Sequence, residues 1–373
     1  MPECDNPLWP CAMTGAASCL AGFDGVTVVI HGSSGCYYYP TTLLHAPLEG
    51  TFILEKEIIF GSEDRLREVI GNLSGSGKCI AVITTCVPAI LGEDIRSLLE
   101  DQDVLLVDSP GFSGDIETGY AKALAMLAPS VDPATPGVNI DGVCLFDPFY
   151  AGNVLETKRL CAMASVSVGT IFSKDLLERV HHAASYTLET NGDFASGVGQ
   201  SLGGMLGFDQ IRSSFTRIDE AIEGSDCGPV FAELDAQEER VVQACDKFLH
   251  RYDPPSAAIF AGCSYARFAA ETLECYLDAE ICCIGTRNVK GDSPLPMVEA
   301  TSLSKVQDLI QSHKPDLVVG SSFERSVYGN AAFVGLIPPL RGKVRLYPTP
   351  LAGINGTLSF IEQVLNACID RIP

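Results

Sequence analysis

Hydrophobic and polar positions alternate in two rhythms along this chain. Short β-branched runs at Val26–Ile30, Cys79–Thr84 and Val104–Val107 predict buried strands. Each leads through Gly, Ser or Pro into a stretch with helical spacing, as at 64–73 and 93–100. Strands that alternate with helices in this way build a parallel, doubly wound sheet. A Pro-rich stretch, Ala128–Gly137, marks a first boundary. A second series opens at Val138, with a helix near Gly152–Ala164, a strand near Val166–Phe172 and charged helices over 209–250. After the Tyr252–Ser256 boundary a third series follows. It has strands at Ala257–Ala261, Ile281–Gly285, Leu317–Gly320 and Val344–Tyr347, and helices at Ser264–Ala279, near Leu303–Ser312 and at Ile354–Arg371. The expectation is an α/β protein of three Rossmann-like units, at 1–135, 136–252 and 253–373, with clefts at the C-terminal ends of the strands.

Composition narrows the partners. The 373 residues are 46% hydrophobic and carry a net charge of −22. That balance opposes nucleic acid or an anionic membrane as the main partner, since both need a basic surface. No apolar run reaches membrane-spanning length, and the opening residues lack a basic stretch followed by an apolar one. A reducing cytoplasm is therefore expected, where the fifteen cysteines stay free of disulfides.

Three of those cysteines stand at comparable places. Cys36 and Cys86 follow strands at strand-to-helix turns, and Cys11 opens a small-residue run. Helix N-termini favour thiolates, and parallel strands bring such turns to one sheet edge. Three converging thiolates suit soft-metal, iron–sulfur chemistry; taken one at a time, each is as well explained by core packing. No CxxC motif is present. Residues 74–79, SGSGKC, mimic a phosphate loop but have Asn72 and Cys79 where Gly and a hydroxyl residue are required, so ATP hydrolysis is expected on another polypeptide. His31, Cys19 and the pair Cys282-Cys283 read as structural. In a regular strand that pair points to opposite faces. Cys263, Arg287 and Arg325 follow strands and are weaker candidates for contact with a substrate.

The sequence resembles the nitrogenase component 1 family, especially its β-subunit type. The likeness runs through CAMTGAA from Cys11, HGSSGC ending at Cys36, TTC ending at Cys86 with Gly92-Glu93-Asp94 beyond it, and PGFSG from Pro110. It continues at Lys314-Pro315-Asp316 and at PLAGING from Pro350. The resemblance implies that Cys11, Cys36 and Cys86 hold an iron–sulfur cluster, 4Fe-4S or larger and P-cluster-like, at a subunit interface. It implies a homodimer or a heterodimer with a paralogous subunit, and an ATP-dependent iron protein that delivers electrons for reduction of a small molecule. Three thiolates fall short of the four that a cubane wants, which also argues for a second chain. Where β-type members carry a cluster-proximal serine, this chain has Gly111. At the positions that hold the family's active-site cofactor it has Asn191 and Ala352, neither a replacement ligand. A scaffold for cluster or cofactor assembly is the alternative, and a plain metal-binding protein a third reading.

Overall fold

The computed structural model describes residues 8–288, 296–342 and 344–371. Three parallel sheets organise it. The first contains β1 (Val26–His31), β2 (Glu49–Gly50), β3 (Cys79–Thr84) and β4 (Val104–Asp108), in the order β2-β1-β3-β4. The second contains β5 (Val138–Asp141), β6 (Val168–Ile171), β7 (Tyr186–Glu189) and β8 (Gln200–Gly204), in the order β6-β5-β7-β8. The third contains β9 (Ser256–Ala261), β10 (Glu280–Thr286), β11 (Met297–Glu299), β12 (Leu317–Gly320) and β13 (Ala332–Gly335), in the order β11-β10-β9-β12-β13. Every strand pair is parallel. The inner strands are apolar on both faces because helices cover both sides, which is why they read as continuous hydrophobic runs.

Around the first sheet lie α1 (Ala12–Leu20), α2 (Ser34–Leu44), α3 (Glu55–Phe60), α4 (Glu63–Leu73), α5 (Cys86–Leu91), α6 (Ile95–Leu99) and α7 (Ile116–Met126). The second and third units carry α8 (Tyr150–Met163), α9 (Phe208–Ala221), α10 (Gly228–Leu249), α11 (Cys263–Leu277), α12 (Leu303–His313), α13 (Ser322–Val327) and α14 (Gly353–Arg371). Parallel bridges Asp24–Leu176 and Val131–Ala183 join the first unit to the second.

The expected strand Val344–Tyr347 is not formed. The last strand is Ala332–Gly335, docked in register beside Leu317–Gly320, while Val344, Leu346 and Tyr347 are exposed. The central helix of the first unit is α1, in which all nine residues are buried. Its approach to α7 depends on glycine. A Cβ on Gly15 would stand 1.9 Å from the Ile116 carbonyl oxygen, and one on Gly119 would stand 1.7 Å from that of Ala12. Only hydrogen-sized side chains allow two helix backbones this close, and the crossing fixes where α1 begins.

Candidate metal centre

The start of α1 is Cys11, its N-cap residue in extended conformation. It bridges Asp115 in antiparallel fashion, and the Ala12 N–H donates to the Gly114 carbonyl at 3.0 Å. The beginnings of α1 and α7 are thus tied side by side. Cys36 lies in the first turn of α2, after β1, and Cys86 opens α5, after β3. β1 and β3 are neighbours with His31 opposite Thr84, so their following turns abut. A Cβ on Gly32 would stand 2.0 Å from Thr85 Oγ1, which is why that turn needs glycine.

These contacts bring the three thiols to one edge of the first sheet. Gly111, in the turn after β4, sits between two of them. A Cβ built there would stand 3.1 Å from Cys86 Sγ and 3.2 Å from Cys11 Sγ, so the separation of the two sulfurs cannot exceed the sum of those distances. The Gly111 N–H donates to Cys86 Sγ at 3.1 Å. The Ser33 hydroxyl donates to Cys36 Sγ at 3.7 Å, and the buried, otherwise unpartnered Thr85 hydroxyl also turns to that sulfur. Burial raises the Cys36 thiol above its ordinary value; these two hydroxyls counter it, and the nearby Cys86 and Cys11 add to it. All three cysteines are partly exposed.

The chemistry of the donor set, three cysteine sulfurs, fits an iron–sulfur group. Among the described residues, no three His, Cys, Asp or Glu side chains gather closely enough for one metal ion. Soft sulfurs on adjoining turns, two of them against Gly111, are the donors that a centre with several irons takes, each iron with its own thiolate. The N–H of Gly111 and the helix starts at Cys36 and Cys86 supply positive potential where thiolate charge would accumulate.

The helices that carry Cys36 and Cys86, and α3 between them in the chain, each expose apolar side chains. Ile59 and Phe60 on α3 are 72% and 80% exposed. Tyr38 and Tyr39 on α2 and Ile90 and Leu91 on α5 are exposed as well. Exposed large apolar side chains mark an interaction surface where they form one patch.

The other candidates are structural. His31 is buried between the Thr51 and Ser62 hydroxyls, each at 3.1 Å. Burial pulls it down to about 4 against the opposing pull of Glu93, so it is neutral and braces the turn through side-chain rather than backbone partners. Cys19 is fully buried, with a thiol that burial pushes up to about 12. Cys263 Sγ donates to the Asn288 carbonyl at 2.8 Å. Arg287 is buried in a pair with Glu324, and Arg325 lies over the Phe333 ring at 5.5 Å, so neither faces a substrate cleft. The phosphate-loop mimic is an exposed turn before β3, with Gly75 and Gly77 at positive φ.

Between the units lies a crevice lined by Trp9, Phe146, Asp147, Asn191, Asp193 and Tyr265, with a volume of about 20 Å³. That is room for roughly one water. Asn191 accepts the Asp193 N–H at 3.1 Å, and the Ala352 N–H donates to Asn153 Oδ1 at 2.9 Å. Both are spent on local structure. Tyr265 donates to Asp147, whose carboxyl burial raises to about 6.

Two features were not anticipated from the residues alone. Gly111 is a hydrogen-bond donor to the sulfur of Cys86 and not simply a missing serine. Cys282 and Cys283 share one side of an irregular strand. The first could have been suspected from glycine in a turn after a strand; the second has no sequence signal.

Residues 11–188 match the family model described as "Nitrogenase component 1 type Oxidoreductase". The nitrogenase molybdenum-iron protein beta chain of Frankia alni is 32% identical over 189 residues, 43% of this chain and 36% of that protein. The nitrogenase iron-iron protein beta chain of Rhodobacter capsulatus is 26% identical over 245 residues, 56% of this chain and 53% of the relative. The nitrogenase iron-molybdenum cofactor biosynthesis protein NifN of Mesorhizobium japonicum is 34% identical over 141 residues, 33% of this chain and 31% of that protein. The matched segments span about a third to a half of these relatives' lengths. The solved structure described as "Nitrogenase Cp1 at pH 6.5" superposes with a TM-score of 0.83 at 16% identity, covering 98% of this chain and 93% of the other, a likeness of fold. Residues 11–188 of this chain are thus similar in sequence to the nitrogenase component 1-type oxidoreductases, β-like among these relatives, and its three parallel sheets share the fold of the solved nitrogenase structure.

Proposed function

We propose that this protein is a nitrogenase-like reductase subunit that receives electrons from an ATP-dependent iron protein through an iron–sulfur cluster at a subunit interface, for reduction of a small molecule. The observation that carries this reading is the meeting of Cys11 and Cys86 at Gly111, with Cys36 on the adjoining turn, at the partly exposed edge of one sheet. When bound, such a cluster supplies one-electron chemistry. The chain's own part is to bind and orient. Cys11, Cys36 and Cys86 supply thiolates, and Gly111 supplies a backbone donor that favours the charged sulfur of Cys86. Three thiolates leave a cubane one ligand short, so a second chain, identical or paralogous, completes the set. The apolar face on α2, α3 and α5 would be covered by that chain, excluding water from the sulfurs. ATP belongs to the iron protein, and the assembly works in the cytoplasm.

The 34% identity to a cofactor biosynthesis protein, together with a central crevice of about 20 Å³, favours a second reading. In it, the same cysteines hold a cluster on its way to another enzyme. Anaerobic purification with iron and sulfide analysis tests both. Iron bound by wild type and lost in Cys36→Ala, in a dimeric species, is the expected result. Iron-free protein, or a Cys36→Ala variant that behaves like wild type, overturns the cluster. Substrate reduction with the cognate iron protein and ATP supports the reductase; cluster transfer to an acceptor without turnover supports the assembly role.

A further inference from the structure

β10 breaks the rule of alternating faces. Its pairing with β9 runs Ile281 to Ala257 and then Cys283 to Ala258, so Cys282 is the extra residue of a β-bulge. In an even strand the two thiols would point to opposite sides of the sheet. The bulge releases them from that alternation, and both pack against the same apolar cluster. Among the described residues β11 pairs only with Ile284–Thr286, which leaves the bulged part of β10 as a local sheet edge. Both cysteines are partly exposed there. Cys282 Sγ donates to the Ala257 carbonyl oxygen at 3.1 Å.

We propose that Cys282 and Cys283 form a two-sulfur chelate for a soft, thiophilic metal or metalloid ion, separate from the cysteines around Gly111. The geometry selects chelation over a disulfide. Neighbouring Cα atoms are 3.80 Å apart across a trans peptide, below the 4.4–6.8 Å usual for a disulfide, so closing that bond would strain the backbone. A larger ion placed between two neighbouring sulfurs beside the same cluster needs no such closure. Thiolate sulfur selects soft centres. The proton arrangement is favourable as well. The Cys282 thiol is held below its ordinary value by its neighbour Cys283 and by backbone N–H groups, while Cys283 is raised by Cys282 and by burial. One sulfur is thereby prepared to attack, and its neighbour is placed to follow.

Phenylarsine oxide, which binds stably where two thiols are adjacent, is the probe. Each thiol gives up its proton, two arsenic–sulfur bonds form, the arsenic–oxygen bond breaks and its oxygen leaves as water. No electrons change hands. Native protein treated anaerobically and then cut with trypsin yields the peptide 268–287, which also contains Cys275. The expected result is one arsenical on this peptide, placed by fragmentation on residues 282–283. It should be retained in Cys275→Ser and lost in both Cys282→Ser and Cys283→Ser, with circular dichroism confirming folded variants. An unlabelled 268–287 peptide from native wild type overturns the proposal whatever the variants do. So does label that survives either single substitution at 282 or 283, or a disulfide found there in place of the arsenical.

Discussion

Gly111 donates its backbone N–H to the sulfur of Cys86 at 3.1 Å, and a Cβ on the same residue would stand at that distance from the same atom. One residue thus supplies both a donor and a hollow. Enlarging it should act on metal content before it acts on folding. Gly111→Val is expected to lose iron and sulfide with little change in the thermal midpoint of the metal-free protein. Gly111→Ser is expected to keep more iron than the valine variant, because its oxygen can serve as a ligand. Iron and acid-labile sulfide per chain, measured anaerobically, check both; a Val variant with full iron content would refute the assignment of the hollow.

Two glycine-to-alanine changes should have opposite signs. At Gly119 the new methyl would stand 1.7 Å from the Ala12 carbonyl oxygen, so α1 and α7 must separate, at a cost of about 3 kcal/mol or more. Because Ala12 follows Cys11, the variant should also lose iron. At Gly71, inside α4, a Cβ meets nothing within 4 Å, and alanine should stabilise by about 0.5–1 kcal/mol through helix propensity. Urea denaturation of the metal-free proteins measures both.

The buried carboxyl of Glu117 sets a pH dependence. It accepts from Trp9 Nε1 at 3.1 Å and from Asn288 Nδ2 at 2.8 Å. Burial, reinforced by Asp115 and Asp193, raises it to about 8 from an ordinary value of 4.5. The folded state therefore keeps a proton that the unfolded chain releases. The associated stability is complete below 4.5 and is lost as pH rises through 8. The loss is about 1.4 kcal/mol per pH unit while only the folded form is protonated. Relative to wild type, Glu117→Gln should gain on the order of 2–3 kcal/mol between pH 5.5 and 7.5. Parallel stability curves for the two proteins would contradict the shift.

Arg287 and Glu324 form an ion pair with no exposed side-chain surface. Arg287 also donates to the Ala300 carbonyl, while Glu324 accepts from the Ser321 N–H and hydroxyl. Removing one partner strands the other charge, so Arg287→Met should cost about 3–5 kcal/mol. The double variant Arg287→Met with Glu324→Gln should recover a large part of that loss. Equal stability of the single and double variants would show that the two charges are not coupled.

The alternation of strand and helix made the three-sheet architecture legible, because buried parallel strands are written as unbroken apolar runs such as Cys79–Thr84. The third sheet's edge misled for a physical reason. Val344–Tyr347 has strong β propensity but lies exposed, whereas Ala332–Gly335 is weaker in propensity and gains its strand from pairing with Leu317–Gly320. Cys11, Cys36 and Cys86 were readable as candidates because helix starts after strands are recurrent places for chemistry, and the structure brings those three together. Their grouping depends on the 31–84 register and on the glycine crossing of α1 with α7, which no local pattern encodes. The Cys282–Cys283 bulge was hidden for a related reason: one inserted residue reverses the facing of a strand without altering its composition.

The three cysteine-bearing elements are anchored unequally. α1 has no exposed residue, whereas α2 buries only Pro40 and Leu44, and α5 only Pro88. Cys11 therefore behaves as an anvil and the other two sulfurs as jaws. Any change in the spacing of the three sulfurs must be taken up by the α2 and α5 arms, the same surface that a neighbouring molecule could press upon.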